Sequence, residues 1–277
     1  MKSRFGLHIR LHGSLFDAVD KIERLQHRSF QTVLMLQSRK FLNLTDDEIN
    51  RFVDFRRKNC DQLFVHGAYW SNVTDVGGRG FHSLRKEIQL AEKLEFTHIV
   101  IHPGSFTKDM TSAERVAYIV NSVKVLLAES SKIIILLENS PHKDKSFSAS
   151  IEEFGQLFVQ LSLHTNRVKM CVDTAHAYVA GYDISTTKKV DEFVNLLMTR
   201  VGKENIGLLH CNDTKKVCGS YLDEHAIPDY GNIGMEALHH FVHHQDLKHI
   251  PVIFELPAID ESLEQDIVEQ FIDMETL

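Results

Sequence analysis

The stretch IIILLENS, residues 133–140, is a run of aliphatic residues that stops at a carboxylate, Glu138. A strand with one wet face would alternate apolar and polar residues. An unbroken apolar run suits a strand covered on both faces, as in a parallel sheet. The same kind of run recurs upstream as HIVIHPG (98–104) and LFVHG (63–67). It recurs downstream as VKMCVDTAH (168–176), IGLLHCND (206–213) and PVIFELP (251–257). FGLHI (5–9) and TVLML (32–36) complete a set of eight. Between the runs lie segments of helical periodicity: 83–95 with Ser83 as N-cap, 112–129 opened by Ser112, Glu114 and Arg115, then 191–201 and 234–246. An acidic helix is expected over 260–277. The runs begin about every 30 to 45 residues, the spacing of βα units. Eight such units predict an α/β fold, a closed (β/α)8 barrel forming one domain over 1–277. An open doubly wound sheet uses the same units and is the alternative. No linker rich in Pro, Gly or Ser divides the chain.

Composition sets the outer limits. With 43% hydrophobic and 25% charged residues in 277, the chain is an ordinary globular protein able to bury a large core. A net charge of −7 excludes a global basic field, so any nucleic-acid contact must come from a local patch. Cys60, Cys171, Cys211 and Cys218 form no CxxC pair and are too sparse for a disulfide scaffold, which points to a reducing compartment. The start, MKSRFGLHIRLHG, has no apolar signal core, and no run of 18 apolar residues occurs. A cytoplasmic monomer is expected, with no membrane span and no obligate protein partner. Dinucleotide, P-loop and nucleophile-elbow motifs are missing.

In a barrel of this kind the chemistry sits at the C-terminal ends of the strands. Those ends carry His66, His102, Glu138, Asp173 with His176, His210 and Glu255. The loop after the seventh run adds Asp223 and His225. Alone, each reads as a loop anchor or an ion-pair partner. Together they come from different strands and should converge at one mouth. Four carboxylates packed without cations would repel one another and be driven to protonate. Divalent ions remove that cost, and imidazole plus carboxylate is a zinc-type ligand set, with manganese possible at one site. Nine ligands suit three ions if Glu138 bridges two of them. The run His239, His240, His243, His244 contains i,i+4 pairs. Its helix precedes the last strand, so its end returns to the far side of the barrel, and a solvated histidine face is expected there. Cys211 alternates to the other face of its strand from His210 and reads as core.

These residues also carry a resemblance. HGAYWSN (66–72), HIVIHPGS (98–105), LLENS (136–140), CVDTAHAYVAGYD (171–183), HCNDTKKVCGSYLDEH (210–225) with GNIG (231–234), and IFELP (253–257) resemble, in order and spacing, the motifs of the endonuclease IV family of apurinic/apyrimidinic endonucleases. The resemblance implies a TIM-type barrel with three zinc ions that cleaves duplex DNA 5′ to an abasic site through a zinc-bound hydroxide, leaving a 3′-hydroxyl and a 5′-deoxyribose phosphate. By the same resemblance, His66 and His102 hold the first ion. Asp173, His210 and Glu255 hold the second, and His176, Asp223 and His225 the third. Glu138 bridges the first two, and Glu138 and Glu255 are the catalytic carboxylates. Arg39 and Tyr69 match the family's DNA-penetrating residues. Chemistry agrees, because a bound divalent ion brings the pKa of water to about 7 and neutralises phosphate charge. Arg39, Lys40, Arg79, Lys108, Lys143, Lys145, Lys188, Lys189, Lys215 and Lys216 follow strands and would form a basic rim for phosphates.

The chain departs from the family pattern at Glu224, where arginine is usual between Asp223 and His225. It departs again at Ile227, Pro228, Asp229 and Tyr230, which replace a glycine-rich turn, and after Asn139. Two other readings exist. A sugar isomerase or epimerase of the same fold would need only Glu138, Asp173, His210 and Glu255, leaving the other five ligands without a role. A non-catalytic binder of damaged DNA would follow if the altered loops abolished turnover.

Overall fold

The structure, a computed structural model, describes residues 4–36, 40–106, 109–141, 147 and 150–273. Seven strands come first: β1 (Phe5–Ile9), β2 (Phe30–Thr32), β3 (Leu63–His66), β4 (His98–Ile101), β5 (Ile134–Glu138), β6 (Val168–Asp173) and β7 (Ile206–His210). A small antiparallel pair, β8 (Asp213–Thr214) and β9 (His225–Ala226), precedes the last strand, β10 (Val252–Phe254). β1 to β7 and β10 close into a parallel barrel in the order β1-β10-β7-β6-β5-β4-β3-β2. Closure decides against the open sheet. The helices are α1 (Phe16–Leu25), α2 (Asp46–Asn59), α3 (Arg79–Lys93), α4 (Ser112–Leu127), α5 (Ile151–Leu161), α6 (Thr174–Val179), α7 (Thr187–Arg200), α8 (Met235–His243) and α9 (Glu261–Asp273).

The apolar runs fall on strands, with shifted edges. β2 ends at Thr32 instead of starting there, because Phe30 is held in register with Leu7 on one side and Leu63 on the other. Beyond it the chain turns back, and Met35 pairs with Phe41. α3 begins after Gly78, so Ser83 is no cap: it is buried within the helix, its hydroxyl 3.7 Å from the Met35 sulfur. α4 begins at Ser112, as expected, with Thr111 as its N-cap. Thr111 accepts from the Glu114 amide while the Glu114 carboxylate takes the Thr111 N–H, a reciprocal capping box.

The barrel interior is layered. Phe64, Val100, Leu136, Cys171, Leu208 and Ile253 form a closed cluster of their own inside it. Side chains on a strand repeat every second residue. The next inward position on each of these strands is therefore His66, His102, Glu138, Asp173, His210 and Glu255. The apolar plug thus sets the direction of six polar residues one layer above it. Cys211 takes the other parity and joins the outer core between sheet and helices, as expected.

Candidate metal centre at the barrel mouth

The polar layer packs closely. His66 Nε2 and His102 Nε2 each lie 3.3 Å from Oε2 of Glu138. His210 Nδ1 is 2.9 Å from Glu138 Oε1, 3.4 Å from Glu255 Oε2 and 3.8 Å from Asp173 Oδ2. His176 Nε2 and His225 Nε2 each stand 3.4 Å from opposite oxygens of Asp223, and His225 Nε2 is 3.9 Å from Asp173. The ligand atoms fall into compact groups: His66, His102, Glu138; then Glu138, Asp173, His210, Glu255; then Asp173, His176, His225. Glu138 belongs to the first two, and Asp173 to the second and third. Eight of the nine expected residues are buried or half-buried, and Asp223 is the exposed one.

Local structure positions them. Asp173 caps α6, its Oδ1 accepting from the His176 amide at 2.8 Å, so the strand end and the helix start present two mouth residues together. Asn139 grips Asp173 from both sides, donating to its carbonyl at 2.9 Å and accepting from its amide at 2.7 Å. Asn212 donates to Asp173 Oδ2 at 2.6 Å and to Glu255 Oε2 at 3.2 Å. The β8–β9 pair holds His225 against Thr214, and Thr214 Oγ1 donates to the Glu224 carbonyl. After His102 the chain turns at Gly104, with φ +93°; a Cβ there would come within 1.9 Å of Asn72 Oδ1, so only glycine fits.

Electrostatics show how crowded the mouth is. Burial opposes charge on Glu138, yet His102, His210 and His66 hold its carboxyl well below the usual range. Glu255 is likewise buried but held low by His210 and His8. Asp173 goes the other way, raised by burial that its histidine neighbours do not overcome. His66 resists burial through Glu138 and is pushed up to about 9, whereas burial drives His102, on the same oxygen, down to about 4. Neighbours of one type forced in opposite directions mark a functional site. Nε2 of His225 is buried and makes no hydrogen bond among the described residues. A lone pair there, facing carboxylates, is what a cation would use, and the donor set of imidazole and carboxylate suits divalent ions. Cys171 lies beneath Glu138 and His210, within ligand reach. Burial and the nearby carboxylates push its thiol well above the ordinary range, so it stays protonated and serves as floor.

Two mouth residues escaped the sequence reading. His8 on β1 and Gln31 on β2 are paired in register and complete the polar layer on the two remaining strands. Gln31 Nε2 donates to Glu255 Oε1 at 2.7 Å and meets His8 Nδ1 at 2.9 Å, and its Oε1 meets His210 Nε2 at 2.9 Å. His8 could have been found from its parity within FGLHI. Gln31 carries no charge and gave no signal.

At the rim, Tyr69 is 78% exposed. A cleft of about 210 Å³ runs from it past Trp70 and Ser105 to His102 and Asp223. Arg39, Lys108, Lys143 and Lys145 lie outside the described residues. The basic rim is weaker than its residue count, because Lys189 is tied to Asp183 at 2.5 Å and Lys216 to Glu224 at 2.6 Å. Glu224 thus leans on its own hairpin. Asp229 sits at φ +73°, a left-handed conformation that Asp tolerates better than most residues, so the turn forms without glycine. On α8 the expected solvated face is a correction. His239 stacks on His243 with ring centroids 3.9 Å apart, and His240 and His244 face Asp191 of α7. All four rings are half-buried at helix contacts. Among the described residues no helix is long and apolar enough to cross a membrane.

Comparison with known proteins agrees with this picture. Residues 19–271 match the family described as xylose isomerase-like TIM barrel. A protein of Exiguobacterium sibiricum named probable endonuclease 4 is 34% identical over 207 residues, covering 72% of this chain and 67% of its own length. The crystal structure of endonuclease IV from Thermus thermophilus superimposes with a TM-score of 0.84 at 24% identity, covering 98% of this chain and all of that one (100%). A D-tagatose 3-epimerase-like protein shares the fold with a TM-score of 0.73 at 20% identity, over 99% of this chain and 98% of its own. Fold likeness alone reaches both kinds of enzyme, but sequence identity singles out one of them: the chain belongs to the endonuclease IV family of the xylose isomerase-like TIM barrels.

Proposed function

We propose that this chain is a metal-dependent DNA repair endonuclease. It would hydrolyse the phosphodiester 5′ to an abasic site in duplex DNA and leave a 3′-hydroxyl and a 5′-deoxyribose phosphate. The observation that carries this reading is the surplus of ligands. Glu138, Asp173, His210 and Glu255 alone would serve an isomerase. His66 and His102 add a second group on the far side of Glu138, and His176, Asp223 and His225 a third beside Asp173. A relative sharing 34% identity is named probable endonuclease 4, which supports the same choice.

In this reading His66, His102 and Glu138 hold one zinc, and Glu138, Asp173, His210 and Glu255 a second. His176, Asp223 and His225 hold a third, where manganese could substitute. When bound, the ions supply a water acidic enough to ionise at neutral pH and positive charge for the phosphate. The chain does the rest. Glu138 and Asp173 each belong to two groups and so fix the groups relative to one another. The Asn139 and Asn212 amides keep Asp173 and Glu255 from turning away. Tyr69, exposed at the lip of the cleft, would stack on a base or fill the abasic gap. Arg39 is assigned the companion role.

The test is a duplex with one tetrahydrofuran residue, which cannot undergo β-elimination. Cleavage should give a 3′-hydroxyl and stop when metal is chelated. A 3′ unsaturated aldehyde from a natural abasic site, with the tetrahydrofuran duplex uncut, would mean lyase chemistry and overturn the proposal.

A further inference from the structure

Three of the mouth histidines are oriented by the backbone. His66 Nδ1 meets the Gly67 carbonyl at 2.9 Å, His176 Nδ1 that of Asn139 at 2.9 Å, and His225 Nδ1 that of Glu255 at 3.4 Å. A carbonyl only accepts, so each Nδ1 carries the proton and each Nε2 is left to face the carboxylates. His210 is turned the other way round. Its Nδ1 faces Glu138, Glu255 and Asp173, and its Nε2 faces the side chain of Gln31.

The protons along this chain of contacts can be assigned in order. Ionised Glu255 only accepts, so the Gln31 atom 2.7 Å from Glu255 Oε1 is the amide nitrogen. The second hydrogen of that NH2 group is the one available to His8 Nδ1, 2.9 Å away, a nitrogen that also lies 3.4 Å from Glu255 Oε1. The Gln31 oxygen must then be the atom 2.9 Å from His210 Nε2, and Nε2 must donate. A flipped amide would set its oxygen against the Glu255 carboxylate at 2.7 Å. Nδ1 of a neutral His210 is left presenting its lone pair to three carboxylate oxygens. That arrangement is favourable only with a proton or a cation between them. Gln31 is completely buried, so no water substitutes for it.

We infer that Gln31, with its amide locked by His8, is the positioning residue of the second metal site. It fixes His210 as an Nδ1 ligand and holds Oε1 of Glu255 aside so that Oε2 faces the cluster. The inference rests on the metal-dependent reading above. It is specific to this site, because the other oriented histidines lean on carbonyls that no side-chain substitution removes.

The experiment uses the full-length protein with zinc as the probe of affinity and 113Cd as the probe of ligation. Zinc is counted by elemental analysis and each affinity read by chelator competition, for wild type, Gln31→Met and Gln31→Glu. Gln31→Met keeps the length and loses all three hydrogen bonds. It should weaken one ion roughly 10–100-fold, the loss usual for an outer partner of a metal ligand, and leave the others unchanged. Gln31→Glu keeps an acceptor for His210 but repels Glu255, and should fall between. In parallel, wild type carrying 15N-histidine and loaded with 113Cd should show one histidine coupled to the metal through Nδ1 and the others through Nε2. This second readout holds even if the variants fail to fold. Coupling through Nε2 alone, or unchanged zinc affinities in Gln31→Met, overturns the assignment while leaving the metal centre standing. A wild-type chain that takes up no zinc overturns both.

Discussion

Histidines are concentrated in two regions, the barrel mouth and α8, and only one of them builds a candidate metal centre. At the mouth, His66, His102, His176, His210 and His225 come from separate elements and meet the carboxylates of Glu138 and Asp223. On α8, His239, His240, His243 and His244 share one helix. His239 and His243 stack on each other and pack near Phe271 and Phe5, while His240 and His244 share one oxygen of Asp191 at 2.6 and 3.7 Å. The i,i+4 spacing suits chelation in principle. Yet Nδ1 of His244 accepts from the Asp246 amide at 3.2 Å, which puts the ring proton on Nε2, the nitrogen aimed at Asp191. What distinguishes a ligand is a lone pair facing carboxylates, with the other nitrogen tied as a donor.

The comparison can be broken most severely by exchanging the roles of the two regions. Glu138→Ala removes the residue common to two ligand groups. It should release more than one ion and cut cleavage of an abasic duplex by more than roughly 10³-fold, beyond the 10–100-fold of losing an outer partner. His240→Ala should change neither metal content nor rate. Equal losses in the two variants, measured on the same duplex with elemental analysis, would erase the distinction drawn here.

Metal removal should act on stability through the mouth alone. Each ion bound at 1,000 times its Kd adds about 4 kcal/mol, which for a chain of this size corresponds to a Tm change of roughly 8–16 °C per ion. Calorimetry with and without chelator checks this. An apo protein that melts where the loaded one does would mean that the mouth needs no cations.

A third histidine environment sharpens the contrast. His98 lies at the opposite end of the barrel, stacked on Phe64 at 4.9 Å, and burial holds it down to about 4. Its folded value is below the unfolded one near 6.5, so the folded state binds fewer protons between them. The stabilisation is present above pH 6.5 and is lost as pH falls through about 4. At 1.36 kcal/mol per unit it amounts to about 3 kcal/mol. Denaturant unfolding of His98→Asn against wild type should show a difference in stability that shifts by that amount between pH 7 and pH 4. A constant difference would mean that the ring is not held neutral.

The smallest effect is expected at the rim. Glu224 is 45% exposed on its side chain and neutralises Lys216 across the hairpin. Glu224→Arg frees Lys216 and adds a second cation, so DNA binding should tighten and the slope of log K against log salt should steepen by about one to two units. Turnover at saturating DNA should hold, because the side chain is engaged by Lys216 and belongs to none of the ligand groups. An unchanged salt slope would show that this hairpin faces away from the DNA.

The sequence by itself determined the eight buried strands and the six inward mouth residues. All of these follow from local rules: a run of aliphatic residues makes a covered strand, and alternation places every second side chain on one face. It also determined that Asp223 and His225 travel together. It did not determine where β2 ends, which follows from pairing with Leu7 and Leu63, or that α3 starts at Arg79 rather than Ser83. Nor did it reveal Gln31, whose partners His210 and Glu255 lie 179 and 224 residues away. Which nitrogen of each histidine faces inward, and that Glu224 spends its charge on Lys216, were likewise settled only by tertiary structure. The physical reason is common to all of these. A hydrogen-bond partner is chosen by which atoms barrel closure brings within about 3 Å, and closure joins segments that share no local pattern.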